Sequence, residues 1–218
     1  MEVENLREKE NTLIPNATAK RLALYYRYLR TLHSQGVLRI NSRELSEALQ
    51  VDSATIRRDF SYFGELGKRG YGYDVENLMN FFAKTLNDDQ LTKVALIGVG
   101  NLGNALLNFK FYQNNNLRIA AAFDVNPNVI GKEVSGLIVH DMKNMKSVLD
   151  KEEINVVILT VPGKFAQDVA NQLVDIGVKG ILNFTPHSVL TPDDVVVQSV
   201  DLTNELQTLI YFMKRQEN

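Results

Sequence analysis

With 218 residues, 44% of them hydrophobic, and a net charge of −2, the chain suits one large or two modest globular domains. No apolar run approaches the ~20 residues that span a bilayer. The charged start MEVENLREKE reads as neither signal peptide nor anchor, so a soluble, cytoplasmic protein is expected. Without cysteine there are no disulfides, thiol switches or cysteinyl metal sites, and His33, His140 and His187 lack ligand spacing, so no metal is expected.

Residues 17–34 place Leu22, Tyr26, Leu29 and His33 at helical spacing, with Gly36 as a stop. In INSRELSEALQ, Asn41 and Glu44 form a capping-box pattern ahead of the stripe Leu45, Ala48 and Leu49. A turn at 50–52 leads into SATIRRDFSYFG, with Ser53 as the expected N-cap and Gly64 as the exit. Three short helices with a tight turn between the second and third predict a helix-turn-helix over about 17–64. Gly64, Gly67, Gly70 and Gly72, interleaved with basic and aromatic residues, predict a hairpin or wing over 64–74. Residues 75–86 read as a linking helix and NDDQ, 87–90, as the boundary. The first domain is therefore expected to span 1–86.

Charge is uneven along the chain. Residues 17–73 hold ten basic and five acidic side chains, a local excess of five positive charges in a chain that is acidic overall. Such a module points to nucleic acid, here double-stranded DNA. On a helical wheel Ile56, Phe60 and Phe63 face inward, while Ala54, Arg58 and Ser61 lie opposite, flanked by Arg57 and Tyr62. A small, basic, polar face suits the major groove. An arginine at the wing tip, Arg69, suits a narrow minor groove. The candidate DNA set is Arg21, Ser53, Ala54, Thr55, Arg57, Arg58, Ser61, Tyr62, Lys68 and Arg69.

From Leu91 onward, short apolar runs (VALIG, RIAAAF, VVILTV, GILNF) alternate with helix-like stretches near 102–112, 142–150 and 163–177. Continuous apolar runs suit parallel strands covered on both faces, so a doubly wound α/β Rossmann domain is predicted over 87–200. Directly after the first run, Gly98-Val99-Gly100-Asn101-Leu102-Gly103 forms GxGxxG and opens a helix. Gly98 serves the tight turn, Gly100 the approach of a pyrophosphate and Gly103 close helix–strand packing. The second run ends in Asp124, 21 residues after Gly103 and followed by Val125. A carboxylate there accepts from both ribose hydroxyls and repels a 2′-phosphate, which favours NAD(H) over NADP(H). Later strand ends deliver Thr160, Val161 and Pro162, then Asn183, Phe184, Thr185 and Pro186, which either face the nicotinamide or shape the turns. The chain closes on a helical pattern of Leu202, Leu206, Leu209, Ile210 and Met213.

Together these stretches resemble the Rex family of redox-sensing transcriptional repressors. The likeness is carried by ATAKRLALYYRYL, VDSATIRRDFSYFGELGKRGYGYDV, LIGVGNLGNAL, FDVNP, ILTVP, ILNFTP and VDLTNELQTL, and runs from about 12 to 215. It implies a homodimer whose winged helices bind a palindromic operator, with residues 201–218 exchanged between protomers and Leu202 near the nicotinamide pocket across the dimer. It implies that NADH releases DNA while NAD+ permits binding. It further implies a contact network of Arg21, Asp201 and position 109. Here Phe109 stands where many members have tyrosine; it has no hydroxyl to give Asp201, which leaves an Arg21–Asp201 pair to carry the contact.

Two other readings stand beside this one. A dehydrogenase needs an acid/base beside the nicotinamide, and His187 is the only candidate, with no supporting constellation and no separate substrate domain. The expectation is therefore that the chain is not an enzyme. A DNA-binding protein whose Rossmann domain serves only to dimerise is the third; it predicts no NADH binding at micromolar concentration.

Overall fold

The computed structural model describes residues 14–67, 70–86, 91–109 and 116–216. The chain divides into two compact units, one ending at Asp89 and the other beginning at Gln90.

The first unit holds helices α1 (Asn16–Ser34), α2 (Ser42–Leu49), α3 (Ser53–Ser61) and α4 (Val75–Thr85). Its core joins Leu22, Tyr25, Leu29 and Leu32 of α1 to Leu45, Ile56, Phe60, Leu78 and Phe82. The buried stripe of α1 is thus rotated by about one position from the sequence expectation. Tyr25 is fully buried, Tyr26 is half-buried and His33 is exposed, because Leu32 is the better apolar anchor for the last turn. The Asn41–Glu44 capping box is present: the Glu44 N–H donates to Asn41 Oδ1 (3.0 Å) and the Asn41 N–H to Glu44 Oε2 (2.8 Å). At α3 the cap is Asp52, not Ser53; Asp52 Oδ1 accepts from the N–H groups of Ala54 (2.8 Å) and Thr55 (3.1 Å). A carboxylate so placed also favours the positive end of the helix dipole. The wing differs from a self-contained hairpin. Its return strand β2 (Tyr73–Asp74) pairs antiparallel with β1 (Arg39–Ile40), which lies ahead of α2. The wing-tip residues Lys68 and Arg69 lie outside the described residues.

The second unit is a seven-stranded sheet in the order β5-β6-β4-β3-β7-β8-β9. The strands are β3 (Thr92–Ile97), β4 (Leu117–Asp124), β5 (Glu133–Val134), β6 (Leu137–Asp141), β7 (Val156–Leu159), β8 (Gly180–Asn183) and β9 (Val196–Ser199). All neighbouring pairs are parallel except β5–β6. Helices α5 (Asn101–Asn108), α6 (Met145–Glu152) and α7 (Ala166–Asp175) cover it. In β3, Ala95 and Ile97 join α6 and α7 in one core, whereas Val94 and Leu96 join Leu107 of α5 in another. Alternate side chains point to opposite faces and both are buried, so the strand reads as one unbroken apolar run. Strands β5, β6 and β9 were not expected. Strand β9 begins within the apolar run Val195-Val196-Val197, but it is only four residues long and mostly exposed. Helix α8 (Leu202–Gln216) closes the described chain. Among the described residues, no helix is long and apolar enough to cross a membrane.

Candidate functional site

The strand order reverses at β3, and the chain leaving β3 and the chain leaving β7 diverge there to open a cleft of about 780 Å³. Each glycine of the motif meets a different constraint. Gly98 has φ +96°, and a Cβ there would lie 2.9 Å from the Thr160 carbonyl oxygen. At Gly103 a Cβ would collide with the Gly98 carbonyl oxygen, so the first turn of α5 sits directly on the turn that precedes it. Gly100 is different: apart from its own atoms and those of its chain neighbours, no protein atom lies within 4 Å of where its Cβ would be. The fold tolerates a side chain there, and the empty space borders the cleft. Helix α5 begins at this point with no side-chain cap, so its first N–H groups are available to an anion.

Asp124 ends β4 at the same mouth. Its Oδ2 accepts from the Val99 N–H (2.6 Å) and its Oδ1 from the Asn126 N–H (2.8 Å). The carboxylate therefore holds the glycine turn while keeping spare lone pairs for ribose hydroxyls. Thr160 closes the other wall by donating to the carbonyls of Gly98 (2.7 Å) and Ile97 (3.0 Å). Gly98, Val99, Gly100, Leu102, Asp124, Val125, Thr160, Val161 and Pro162 all line the cleft. These residues fit a dinucleotide: a glycine turn, an uncapped helix start and an acid at the second strand end.

The later strand end departs from expectation. Asn183, Thr185 and Pro186 are not part of the cleft wall, and neither are Asn101 and Gly103. Asn183 is fully buried; its Nδ2 donates to the His187 carbonyl (2.8 Å), and its Oδ1 accepts from the Thr185 N–H (2.9 Å). Thr185 Oγ1 donates to the same His187 carbonyl (3.0 Å). These polar groups build the turn after β8, which leaves Phe184 to face the cleft. The chain before and within α7 adds Phe165, Asp168, Val169 and Gln172, and the β4 and β6 ends add Asn126, Val129 and Met142. None of these seven was singled out from the sequence, whereas Phe184 was among the expected strand-end residues and does line the cleft. The spacing 165, 168/169, 172 is a helical face, but only the tertiary placement of α7 shows what it faces.

In the first unit α3 presents Ala54, Arg57, Arg58 and Ser61 outward, with Ser53, Thr55 and Tyr62 half-buried. Arg57 donates to Ser42 Oγ (3.0 Å), tying α3 to the start of α2. The Arg58 guanidinium has no hydrogen-bond or ion-pair partner among the described residues. Arg21 is engaged inside its own unit. Its Nε and Nη2 donate to Asp59 Oδ2 (2.6 Å) and Oδ1 (2.7 Å). Thr18 Oγ1 (2.8 Å) and Tyr25 OH (2.6 Å) donate to the same carboxylate. Burial alone would raise the Asp59 carboxyl, but the bonds from Arg21, Tyr25 and Thr18 outweigh it and hold the group below its ordinary value. Burial, then Asp59, push the Tyr25 phenol up. In the sequence Asp59 is only one of five acids within a basic segment. Asp201 caps α8, its Oδ1 accepting from the N–H groups of Thr203 (2.9 Å) and Asn204 (3.2 Å). Phe109 follows α5 and is exposed.

A helix-turn-helix unit joined to a Rossmann unit with a glycine-lined nucleotide cleft defines a class: two-domain regulators that combine DNA binding with dinucleotide binding. Residues 13–61 match the family described as "Putative DNA-binding protein N-terminus", and residues 89–187 match "CoA binding domain". The chain is 63% identical over 204 residues to the redox-sensing transcriptional repressor Rex 1 of Enterococcus faecalis, covering 94% of each. It superposes with a TM-score of 0.87 on RSP in complex with β-NAD+ and operator DNA, at 37% identity and 95% coverage of both chains. RSP in complex with β-NADH gives 0.84 at 35% identity, covering 95% of this chain and 97% of that one. The chain belongs to the Rex family of redox-sensing transcriptional repressors. These relatives are named repressors, not enzymes.

Proposed function

We propose that this chain is a cytoplasmic, homodimeric transcriptional repressor that reads the NADH/NAD+ ratio, with NADH releasing a palindromic operator and NAD+ permitting binding. The observation that carries the reading is the junction of Gly100 and Asp124: open space before an uncapped helix, beside a carboxylate that grips the glycine turn. The nucleotide supplies a pyrophosphate for the α5 start and ribose hydroxyls for Asp124. Asp124 repels a 2′-phosphate, so NADP(H) is rejected.

The switch needs NADH to bind the DNA-incompetent dimer more tightly than the competent one, since equal affinity shifts nothing. A coupling of ~1–3 kcal/mol gives roughly 5–150-fold modulation. Helix α8 supports the dimer: Leu202, Leu206, Leu209, Ile210, Tyr211, Phe212 and Met213 are between 39% and 65% exposed, a large apolar surface for one chain to leave in water. For the link between sites we propose Arg21 and Asp201, with Phe109 unable to add a hydrogen bond. Arg21 Nη1 has no partner among the described residues, so Arg21 reaches a second carboxylate through that nitrogen or by leaving Asp59.

The test is a gel shift on a palindromic A·T-rich duplex with NADH and NAD+ titrated. NADH is expected to dissolve the complex and NAD+ to preserve it; a complex that survives saturating NADH refutes the reading.

A further inference from the structure

The acid buried in α3 does more than neutralise an arginine. Asp59 is 2% exposed, and the residue before it, Arg58, is exposed on the face read here as the DNA-facing one. Thr18, Arg21 and Tyr25 are spaced i, i+3 and i+7 along α1, so one face of that helix sends four hydrogen bonds into this single carboxylate, all between 2.6 and 2.8 Å.

We infer that Asp59 is a positioning residue for operator reading, fixing the rotation and height of α3 against α1 and hence the direction in which Arg58 leaves the helix. This rests on the proposed DNA-binding role of α3. Helix α3 is nine residues long and buries only Ile56 and Phe60 as fully apolar anchors. Apolar contacts are non-directional and let a short helix roll. Hydrogen bonds to an ionised group are directional and about twice as strong as neutral ones. Rolling α3 by about 20° moves an atom ~6 Å from its axis by roughly 2 Å, which breaks a base-edge hydrogen bond. A well-packed apolar residue in place of a buried ion pair often serves stability equally well. What such a residue does not supply is the angular restraint.

Thr18 is 2% exposed and Tyr25 fully buried, so the double variant Thr18→Val, Tyr25→Phe alters no atom of the DNA-facing surface. It removes two of the four bonds and leaves the ion pair in place. The full-length chain and this variant are compared for anisotropy on an operator selected from random duplexes by the unmodified chain, and on a scrambled duplex. NADH affinity by fluorescence and thermal melting are recorded alongside, with binding measured well below the melting transition. The expected result is an operator affinity lower by about tenfold, with scrambled-duplex and NADH affinities within about twofold. Asp59→Asn is expected to lose more; if it does not fold, the double variant decides. A folded double variant with unchanged operator affinity and only a lower melting temperature overturns the inference and leaves Asp59 a stabilising group. If the unmodified chain selects no duplex, the functional reading itself fails.

Discussion

The two units achieve close approach by opposite means. In the first, side chains do it: Thr18, Arg21 and Tyr25 converge on Asp59, and the helix that presents Arg58 is set by directional bonds. In the second, missing side chains do it: Gly103 lets α5 sit on the Gly98 carbonyl, and Gly100 leaves room that no protein atom fills. A groove reader needs its own side chains aimed, so its scaffold aims them. A phosphate cradle needs bare backbone N–H groups, so its scaffold withholds side chains. The contrast teaches that the two sites should fail independently and by different mechanisms.

The largest effect is expected from Gly103→Val, which forces a side chain into the Gly98 carbonyl. It should cost the second unit about 3 kcal/mol or more and abolish NADH binding, read by thermal melting and NADH fluorescence. Gly100→Ala sharpens the point: melting should hardly move while NADH affinity falls, because the added methyl meets ligand space rather than protein. An equal melting loss for both would break the distinction between packing glycine and cradle glycine.

Asp124→Ala comes next. Losing an ionised acceptor should weaken NADH roughly 10–100-fold, partly through the freed Val99 N–H, and leave operator affinity without NADH intact. Arg58→Ala should do the reverse, costing about 1–3 kcal/mol on the operator with NADH affinity unchanged. Calorimetry on both variants checks the pair; either one weakening both ligands alike would erase the division between units.

The smallest effect is in acid. The Asp59 carboxyl is held below its ordinary value of 3.8 in the folded state, so the stability it contributes is complete above that value. It is lost as pH falls through the folded-state value beneath. Melting scans should show the first unit losing stability in this range, and Asp59→Asn should flatten the loss. A variant as acid-sensitive as the wild type would remove Asp59 as the cause.

Much of the layout was legible because it is local. The Asn41–Glu44 box spans four residues, the glycine motif six, and the apolar runs of β3, β4, β7 and β8 report burial on both faces directly. The N-cap of α3 fell one residue from its expected place because Asp52 and Ser53 are both good caps and only backbone geometry chooses between them. Strand β9 was not expected because its three-valine run is too short to tell an edge strand from a loop, and only its pairing with β8 decides.

By itself, the sequence determined a helix-turn-helix followed by a Rossmann unit, and it placed the glycine turn and the strand-end acid for which we propose pyrophosphate and ribose contacts. It did so because each depends on residue types at fixed short spacing. The tertiary structure alone decided which polar groups are consumed internally and which face a ligand. Asn183 and Thr185 turn inward to hold the turn after β8, Phe165 and Gln172 come to the cleft, and Asp59 gathers donors from 34 to 41 residues away. Those outcomes depend on how helices settle on one another, and no short window of sequence contains that.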